Sequence, residues 1–278
     1  MSLTKNKEGN FYPKEIRGTD WHCDWLWSTH RGCAFDCVYC SSKDWYRRFH
    51  STWCSTTIFR LNGETNNSGL HLKRWILPNG KVFISPYNDI MTLPKNDISE
   101  ILGVVYNSSE YWFDRDVIGH KEKNNFGIIL QTKDPAQYFN YLDLIPQGSW
   151  LGTTIETNLN ALYIDCNISK APNVRHRFWD FKPLTHKRNR YKIFVTIEPI
   201  MQFEYGLVQY MNELKPDIVF IGANTSKIQL PEPTSEELIN LIYSLYEIVG
   251  ADNVYLKSNI RRLIPAFYDG WKLAKETK

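Results

Sequence analysis

Short apolar runs recur along the chain, and several are separated by stretches whose apolar residues follow a helical spacing. Residues 25–28 (Trp-Leu-Trp-Ser), 81–85 (Lys-Val-Phe-Ile-Ser), 126–131 (Phe-Gly-Ile-Ile-Leu-Gln), 150–155, 192–197 and 217–222 each read as a strand, and 253–257 reads as a last short one. Runs that are apolar almost throughout, rather than alternating, predict strands covered on both faces, as in a parallel sheet. Helical spacing over 98–112, 135–144, 202–214 and 235–249 supplies the covering layer; the last of these opens on Thr234 and Ser235, with Glu236 and Glu237 in its first turn, a strong start signal. Strands alternating with helices predict βα units, here an α/β fold built as a partial, TIM-like (β/α)6 barrel, parallel strands inside and helices outside. Residues 1–20, polar and broken by Pro13 and Gly18, read as an irregular N-terminal arm. Residues 21–278 read as one domain. Within it, residues 41–78 are longer than a strand-to-strand connection needs and include the polar stretch 62–69, so part of them is expected to pass over the site.

Composition narrows the class without naming a function. The chain has 278 residues, within the range of one α/β barrel, and a hydrophobic fraction of 42% with 14% aromatics excludes a disordered protein. The net charge of +3 is too small to favour an acidic partner by itself, so any such preference must come from a local patch. No run approaches a membrane span, and the first residues hold no apolar segment of signal-peptide length. The expected location is the cytoplasm, with no membrane partner and with reduced thiols.

In parallel barrels, chemistry collects at the carboxyl ends of the strands. The residues just beyond each apolar run are therefore the candidates: Ser85, Asn88 and Asp89 after the second run, Thr132 and Lys133 after the third, Thr154 and Glu156 after the fourth, Glu198 after the fifth, Asn224 after the sixth. A cap or turn role competes with ligand contact at each Ser, Thr, Asn and Asp. Glu156 and Glu198 point more strongly to function, because a carboxylate facing a barrel mouth needs a partner.

The first run ends at a cysteine loop, Ser28-Thr29-His30-Arg31-Gly32-Cys33-Ala34-Phe35-Asp36-Cys37-Val38-Tyr39-Cys40, which holds three of the six cysteines in eight residues. Its C-x3-C-x2-C spacing lets Cys33, Cys37 and Cys40 hold three irons of a [4Fe-4S] cube and leave the fourth open. The competing reading is structural zinc, with Cys23, His22 or His30 as a fourth ligand, but none of these gives a recognised pair spacing. Cys23, Cys54 and Cys166 are scattered and form no second cluster motif.

This loop, with the aromatic Tyr39 just before its last cysteine, resembles the cluster loop of the radical S-adenosylmethionine (radical SAM) superfamily. The phrases QTKDP, WLGTTIETN, FVTIEPI and VFIGAN resemble one branch of it, the phage and bacterial proteins related to spore photoproduct lyase. The segment after the second run departs from the superfamily, having no Gly-Gly-Glu run. The resemblance implies the same partial barrel. It also implies a cube whose open iron is chelated by SAM, reductive cleavage of SAM to a 5′-deoxyadenosyl radical, and hydrogen abstraction from a substrate. By the same resemblance Tyr39 lies against the adenine, the 85–89 segment meets the SAM amino group, and the fourth strand end meets the ribose or carboxylate. Arg175, close behind that strand, is a further candidate for the carboxylate.

Residues 175–192 carry seven Lys or Arg and one Asp, interleaved with aromatics. This composition suits a nucleic acid, single-stranded or with a flipped nucleotide, and Trp45, Arg47, Arg48 and Trp53 extend the possible surface. A solvated helix face with its aromatics in the core fits equally well. The expectation is a radical SAM enzyme acting on DNA, RNA or a nucleotide, supplied with electrons by a reducing partner such as flavodoxin or ferredoxin. The alternatives are a peptide or small-metabolite substrate, or a non-catalytic, zinc-stabilised nucleic-acid-binding module.

Overall fold

The computed structural model describes residues 14–16, 23–43, 57–58, 76–118 and 124–267. Seven of its strands are those the apolar runs predict: β2 (Trp25–Trp27), β5 (Lys81–Ile84), β6 (Gly127–Thr132), β7 (Trp150–Thr154), β8 (Lys192–Ile197), β9 (Ile218–Ile221) and β10 (Val254–Lys257). All pair in parallel in chain order, and the sheet curls into a half-barrel with helices around it. An eighth strand, β1 (Lys14–Ile16), lies parallel to β10 at the far edge. It comes from the stretch expected to be irregular. An edge strand needs only free backbone groups on its neighbour, and so leaves no apolar signature in the sequence.

The helices are α1 (Lys95–Val117), α2 (Asn160–Asp165), α3 (Val174–Phe181), α4 (Gly206–Leu214) and α5 (Ser235–Val249). Helix α5 has its expected bounds and closes a capping box between Thr234 and Glu237. Helix α4 starts later than its apolar spacing predicts, because Gln202 and Glu204 give their N–H groups to Pro231 O and Asn158 Oδ1 instead. The helix expected over 135–144 is only a 3-10 turn, Pro135–Asn140. Tyr138 is buried there with its hydroxyl 2.9 Å from Leu130 O and 2.8 Å from Gly152 O, which ties the segment to the sheet.

Alternation along the strands makes two cores. One set of positions, including Val82, Ile84, Ile128, Leu130, Ile193, Val195 and Val219, packs outward against Leu102, Val105, Leu207, Met211, Leu241 and Ile242 of the helices. The other set, Phe83, Ile129, Phe194, Ile218, Phe220 and Tyr255, fills the barrel interior as a largely aromatic plug. Gly152 belongs to this inner face: a Cβ there would lie 2.2 Å from the Phe194 ring. Among the described residues, no helix is long and apolar enough to cross a membrane.

Candidate cofactor site at the barrel mouth

The period of two that builds the plug also builds the site. One step further along the same inward face, apolar residues give way to polar ones: Ile129 to Gln131, Gly152 to Thr154 and Glu156, Phe194 to Thr196 and Glu198, Tyr255 to Lys257. A polar layer therefore sits on an aromatic floor at the carboxyl ends of the strands.

The cysteine loop enters this layer from β2. Its entry is a two-residue strand, β3 (His30–Arg31), antiparallel to β4 (Thr57–Ile58), so the excursion after the loop returns to pair with its start. Gly32, with φ 78°, turns the chain into Cys33 through a left-handed conformation that favours glycine. Within the loop, Asp36 also has positive φ, and its carboxylate takes Lys43 Nζ and, at 3.3 Å, Lys170 Nζ. The loop is laced to the segment after α2: Val38 N to Ile168 O at 2.9 Å, Lys170 N to Phe35 O at 2.7 Å, and Cys37 Sγ to Ser169 Oγ at 3.1 Å. Cys33 and Cys37 are buried and Cys40 is half-buried. Burial pushes the Cys33 thiol up, with Asp89 and the neighbouring Cys37 and Cys40 adding to it; burial likewise raises Cys40. Cys23 lies at the other end of β2, packed beside the inner plug, so it cannot complete a metal site with the loop.

Above the loop stands a buried ionic network centred on Glu156, which has no exposed surface. Oε1 accepts from Lys133 Nζ at 2.7 Å and from the Tyr39 hydroxyl, and Oε2 accepts from Arg177 Nη1 at 2.8 Å. Burial alone would raise this carboxyl, but Arg177 and Lys133 overcome it and hold it at about 2. Arg177, also without exposed surface, donates further to Pro172 O at 2.6 Å, Thr154 O at 3.0 Å and the Tyr163 hydroxyl, so its buried charge is fully met. Lys133 lies 5.4 Å from the Tyr39 ring centre, a cation–π distance.

A second polar group lies under the loop. Ser85, with φ 53°, is 2.6 Å from Thr29 Oγ1 and 3.4 Å from His30 Nδ1. Asn88 Nδ2 donates to His30 O at 2.5 Å. Asp89 is buried, caps the turn Ile90–Thr92 through Met91 N, and accepts from Lys133 N at 2.8 Å. Burial moves its carboxyl up to about 6. Burial also lowers His30 to about 4.

The predicted site residues thus divide. Tyr39, Lys133, Thr154 and Glu156 come together, and Ser85, Asn88 and Asp89 lie beside the cysteine loop, Asp89 with both oxygens used on backbone. Thr132 accepts from Asp134 N at 2.9 Å and hydrogen-bonds the Asp89 carboxylate through its side chain, and Asn224 is spent on its own loop, bonding Ile228 O and Ser226. Glu198 leaves the Glu156 network and pairs with Lys257. Arg175 does not face the mouth: it is exposed on α3, and Arg177 occupies the buried position instead. Two residues apart on a helix point to opposite faces, and the buried carboxylate selected between them. Nothing in the sequence singled out Arg177 or Tyr163, beyond their following the strand that carries Glu156.

The basic stretch at 175–192 follows its core reading in part: Trp179 is exposed, with Lys182 Nζ 4.9 Å from its ring centre, and the other aromatics are buried. Phe178, Phe181 and Tyr191 are buried, Lys182 pairs with Glu213 at 2.6 Å, and Arg188 pairs with Asp217 at 3.2 Å. From Lys182 on, the chain descends to the start of β8, the end of the barrel opposite the mouth. Trp45, Arg47, Arg48, Trp53 and Cys54 lie outside the described residues, as does His22.

No family model matches the chain, and no curated protein matches it. Solved structures do. A spore photoproduct lyase mutant with bound AdoMet and dinucleoside spore photoproduct is similar over 87% of this chain and 80% of its own, with 9% sequence identity and a TM-score of 0.55. Spore photoproduct lyase complexed with dinucleoside spore photoproduct gives the same identity and score over 87% of this chain and 78% of its own. The half-barrel of this chain is therefore the fold of spore photoproduct lyase, as the resemblance of its cysteine loop implied.

Proposed function

We propose that the chain is a radical SAM enzyme that holds one [4Fe-4S] cluster on Cys33, Cys37 and Cys40. The observation that carries this reading is the position of the C-x3-C-x2-C loop. It leaves the first barrel strand at its carboxyl end, is laced to the crossover after β7, and is latched through Tyr39 to a buried carboxylate.

The donor set fits such a cluster. A cube takes its three thiolates on three separate irons, so the thiols need not converge on a point. Bound on this loop with SAM, the cluster would supply the electron that cleaves the sulfonium and yields a 5′-deoxyadenosyl radical able to take hydrogen from a substrate.

The chain's own residues prepare for that chemistry. Ser169 Oγ lies 3.1 Å from Cys37 Sγ while its hydroxyl donates to Phe35 O, and Lys43 and Lys170 hold the loop through Asp36. Tyr39 is held by Glu156, with the Lys133 ammonium 5.4 Å from its ring centre. Of the predicted SAM contacts, Lys133 and Asn88 retain hydrogen-bonding capacity: Lys133 has ammonium N–H groups left beyond Glu156, and Asn88 its amide oxygen. With Arg175 turned away, Lys133 takes over the role proposed for a cation at the SAM carboxylate. The aromatic plug closes the floor and keeps water from below.

The substrate we propose is a nucleic acid or nucleotide, modified or repaired. Its support is the likeness to structures described with dinucleoside spore photoproduct; the 175–192 stretch adds none. A reducing partner of the flavodoxin or ferredoxin kind supplies the electron. The test is anaerobic: reconstitute with iron and sulfide, reduce with dithionite, and assay 5′-deoxyadenosine from SAM with and without short DNA or RNA. Brown protein that forms 5′-deoxyadenosine, faster with one nucleic acid, is the expected result. Colourless protein that holds zinc and leaves SAM intact would overturn the enzyme reading, and turnover indifferent to any nucleic acid would move the substrate to a peptide or small metabolite.

A further inference from the structure

Beyond the Glu156 network, the mouth holds a second ion pair with a different character. Strands β8, β9 and β10 are in register at Ile197, Ile221 and Leu256, so the next residue of each, Glu198, Gly222 and Lys257, forms a row across the mouth. Glu198 extends over the middle member of that row and pairs with Lys257 Nζ. The middle member is glycine, and the Glu198 side chain lies directly on it: a Cβ at Gly222 would come 2.4 Å from Glu198 Oε1, so a larger residue there would push the carboxylate aside.

The two carboxylates of the mouth are related through the strand ladder. Thr154 pairs with Thr196, and Glu156 and Glu198 each follow two residues later. They start level on adjacent strands and are drawn apart, Glu156 toward Lys133 and Arg177, Glu198 toward Lys257. Glu156 is sealed, with 0% of its side chain exposed; Glu198 and Lys257 keep 24% and 20% of theirs. Asn259 completes the open pair. Its amide is fixed by Ala223, giving Nδ2 to Ala223 O and taking Ala223 N at Oδ1, both at 3.0 Å, and Nδ2 reaches Glu198 Oε1 at 3.3 Å.

This open pair has unused valence of both kinds. Among the described residues, Lys257 gives its ammonium only to Glu198, which leaves N–H donors free, and the Glu198 oxygens carry one donor each where a carboxylate can accept more. Donor and acceptor sit side by side on the wall away from the cysteine loop. Resting on the nucleic-acid reading of the site, we propose that Glu198 and Lys257 recognise the edge of a nucleobase that presents an acceptor next to a donor, the acceptor taking Lys257 Nζ–H and the base N–H donating to Glu198. A phosphate would be repelled by the carboxylate, and a base edge is complementary to both groups.

The experiment measures binding of short single-base DNA strands, and of an abasic strand of the same length, to the reconstituted protein by fluorescence anisotropy. Wild type should bind at least one base-bearing strand more tightly than the abasic one. Lys257→Met and Glu198→Gln should each lose about tenfold on that strand, the scale of one specific base contact, and nothing on the abasic strand. Lys257→Arg, which keeps the charge and the donors, should retain most of the affinity and guards against a folding defect. Variants that bind like wild type, or that lose the same factor on both strands, would overturn the proposal. Wild type that binds no strand would overturn it together with the nucleic-acid substrate, while 5′-deoxyadenosine formation by the same preparation would leave the enzyme reading standing.

Discussion

The hydroxyl of Tyr39 donates to the carboxylate of Glu156, joining residues 117 positions apart in the chain. Tyr39 belongs to the cysteine loop and Glu156 to the end of the fourth predicted strand, so one bond ties the cysteine loop to the barrel mouth. Because Glu156 is held in turn by Arg177, which grips Pro172 O and Thr154 O, the loop is positioned by the whole β7 crossover and not by its own short sequence.

Tyr39→Phe removes that bond and keeps the ring. Glu156 retains Lys133 and Arg177, so the cost is that of one hydrogen bond to a charged group, about 1.5–3 kcal/mol. Urea unfolding of the cluster-free protein measures it. An unchanged midpoint would show that the latch contributes nothing to stability.

Glu156 also sets a pH dependence. Its carboxyl is held at about 2 in the fold against 4.5 without the fold, so its contribution is complete above about 4.5 and is lost as pH falls from there toward 2. The stability gap between wild type and Glu156→Gln should therefore narrow over that window and stay constant above it. Urea midpoints from pH 7 down to the acid limit test this, and a gap that widened on acidification would contradict the assignment.

Gly152→Ala should destabilise the barrel by about 1–3 kcal/mol, because the new methyl meets the fully buried Phe194 ring. Gly103→Ala is the control. Gly103 lies inside α1 with nothing within 4 Å of an added Cβ, so this change should stabilise by about 1 kcal/mol through helix propensity. Thermal unfolding of both variants separates the packing effect from the loss of glycine flexibility.

Cys37→Ala should lose iron and all SAM cleavage after reconstitution, and Cys23→Ala should keep both. The two thiols differ in place: Cys37 sits in the loop beside Ser169, and Cys23 packs with the plug at the far end of β2. Iron and sulfide content decide the matter, and a Cys37 variant that kept its iron would sink the cluster assignment.

The barrel was legible because its strands advertise themselves. Apolar runs of strand length marked seven strands, and the Thr234 capping box marked α5 to the residue. The strand at Lys14–Ile16 left no such mark, because its pairing uses backbone alone. The 135–144 segment misled for the opposite reason: its helical spacing is real, but Tyr138 satisfies two sheet carbonyls and holds the chain in a tighter turn.

Sequence alone determined what is local. The spacing of Cys33, Cys37 and Cys40, and the change from apolar to polar residues at the end of each strand, depend only on neighbours in the chain, and they locate both the cysteine loop and the mouth. Tertiary structure decided which charges meet. Glu156 and Glu198 look alike in sequence, as do Arg175 and Arg177, but a buried carboxylate must be paired, and only the fold determines which cation comes within reach. The helical phase of α3 turned Arg177 inward to Glu156, and the register of β8, β9 and β10 carried Glu198 across Gly222 to Lys257.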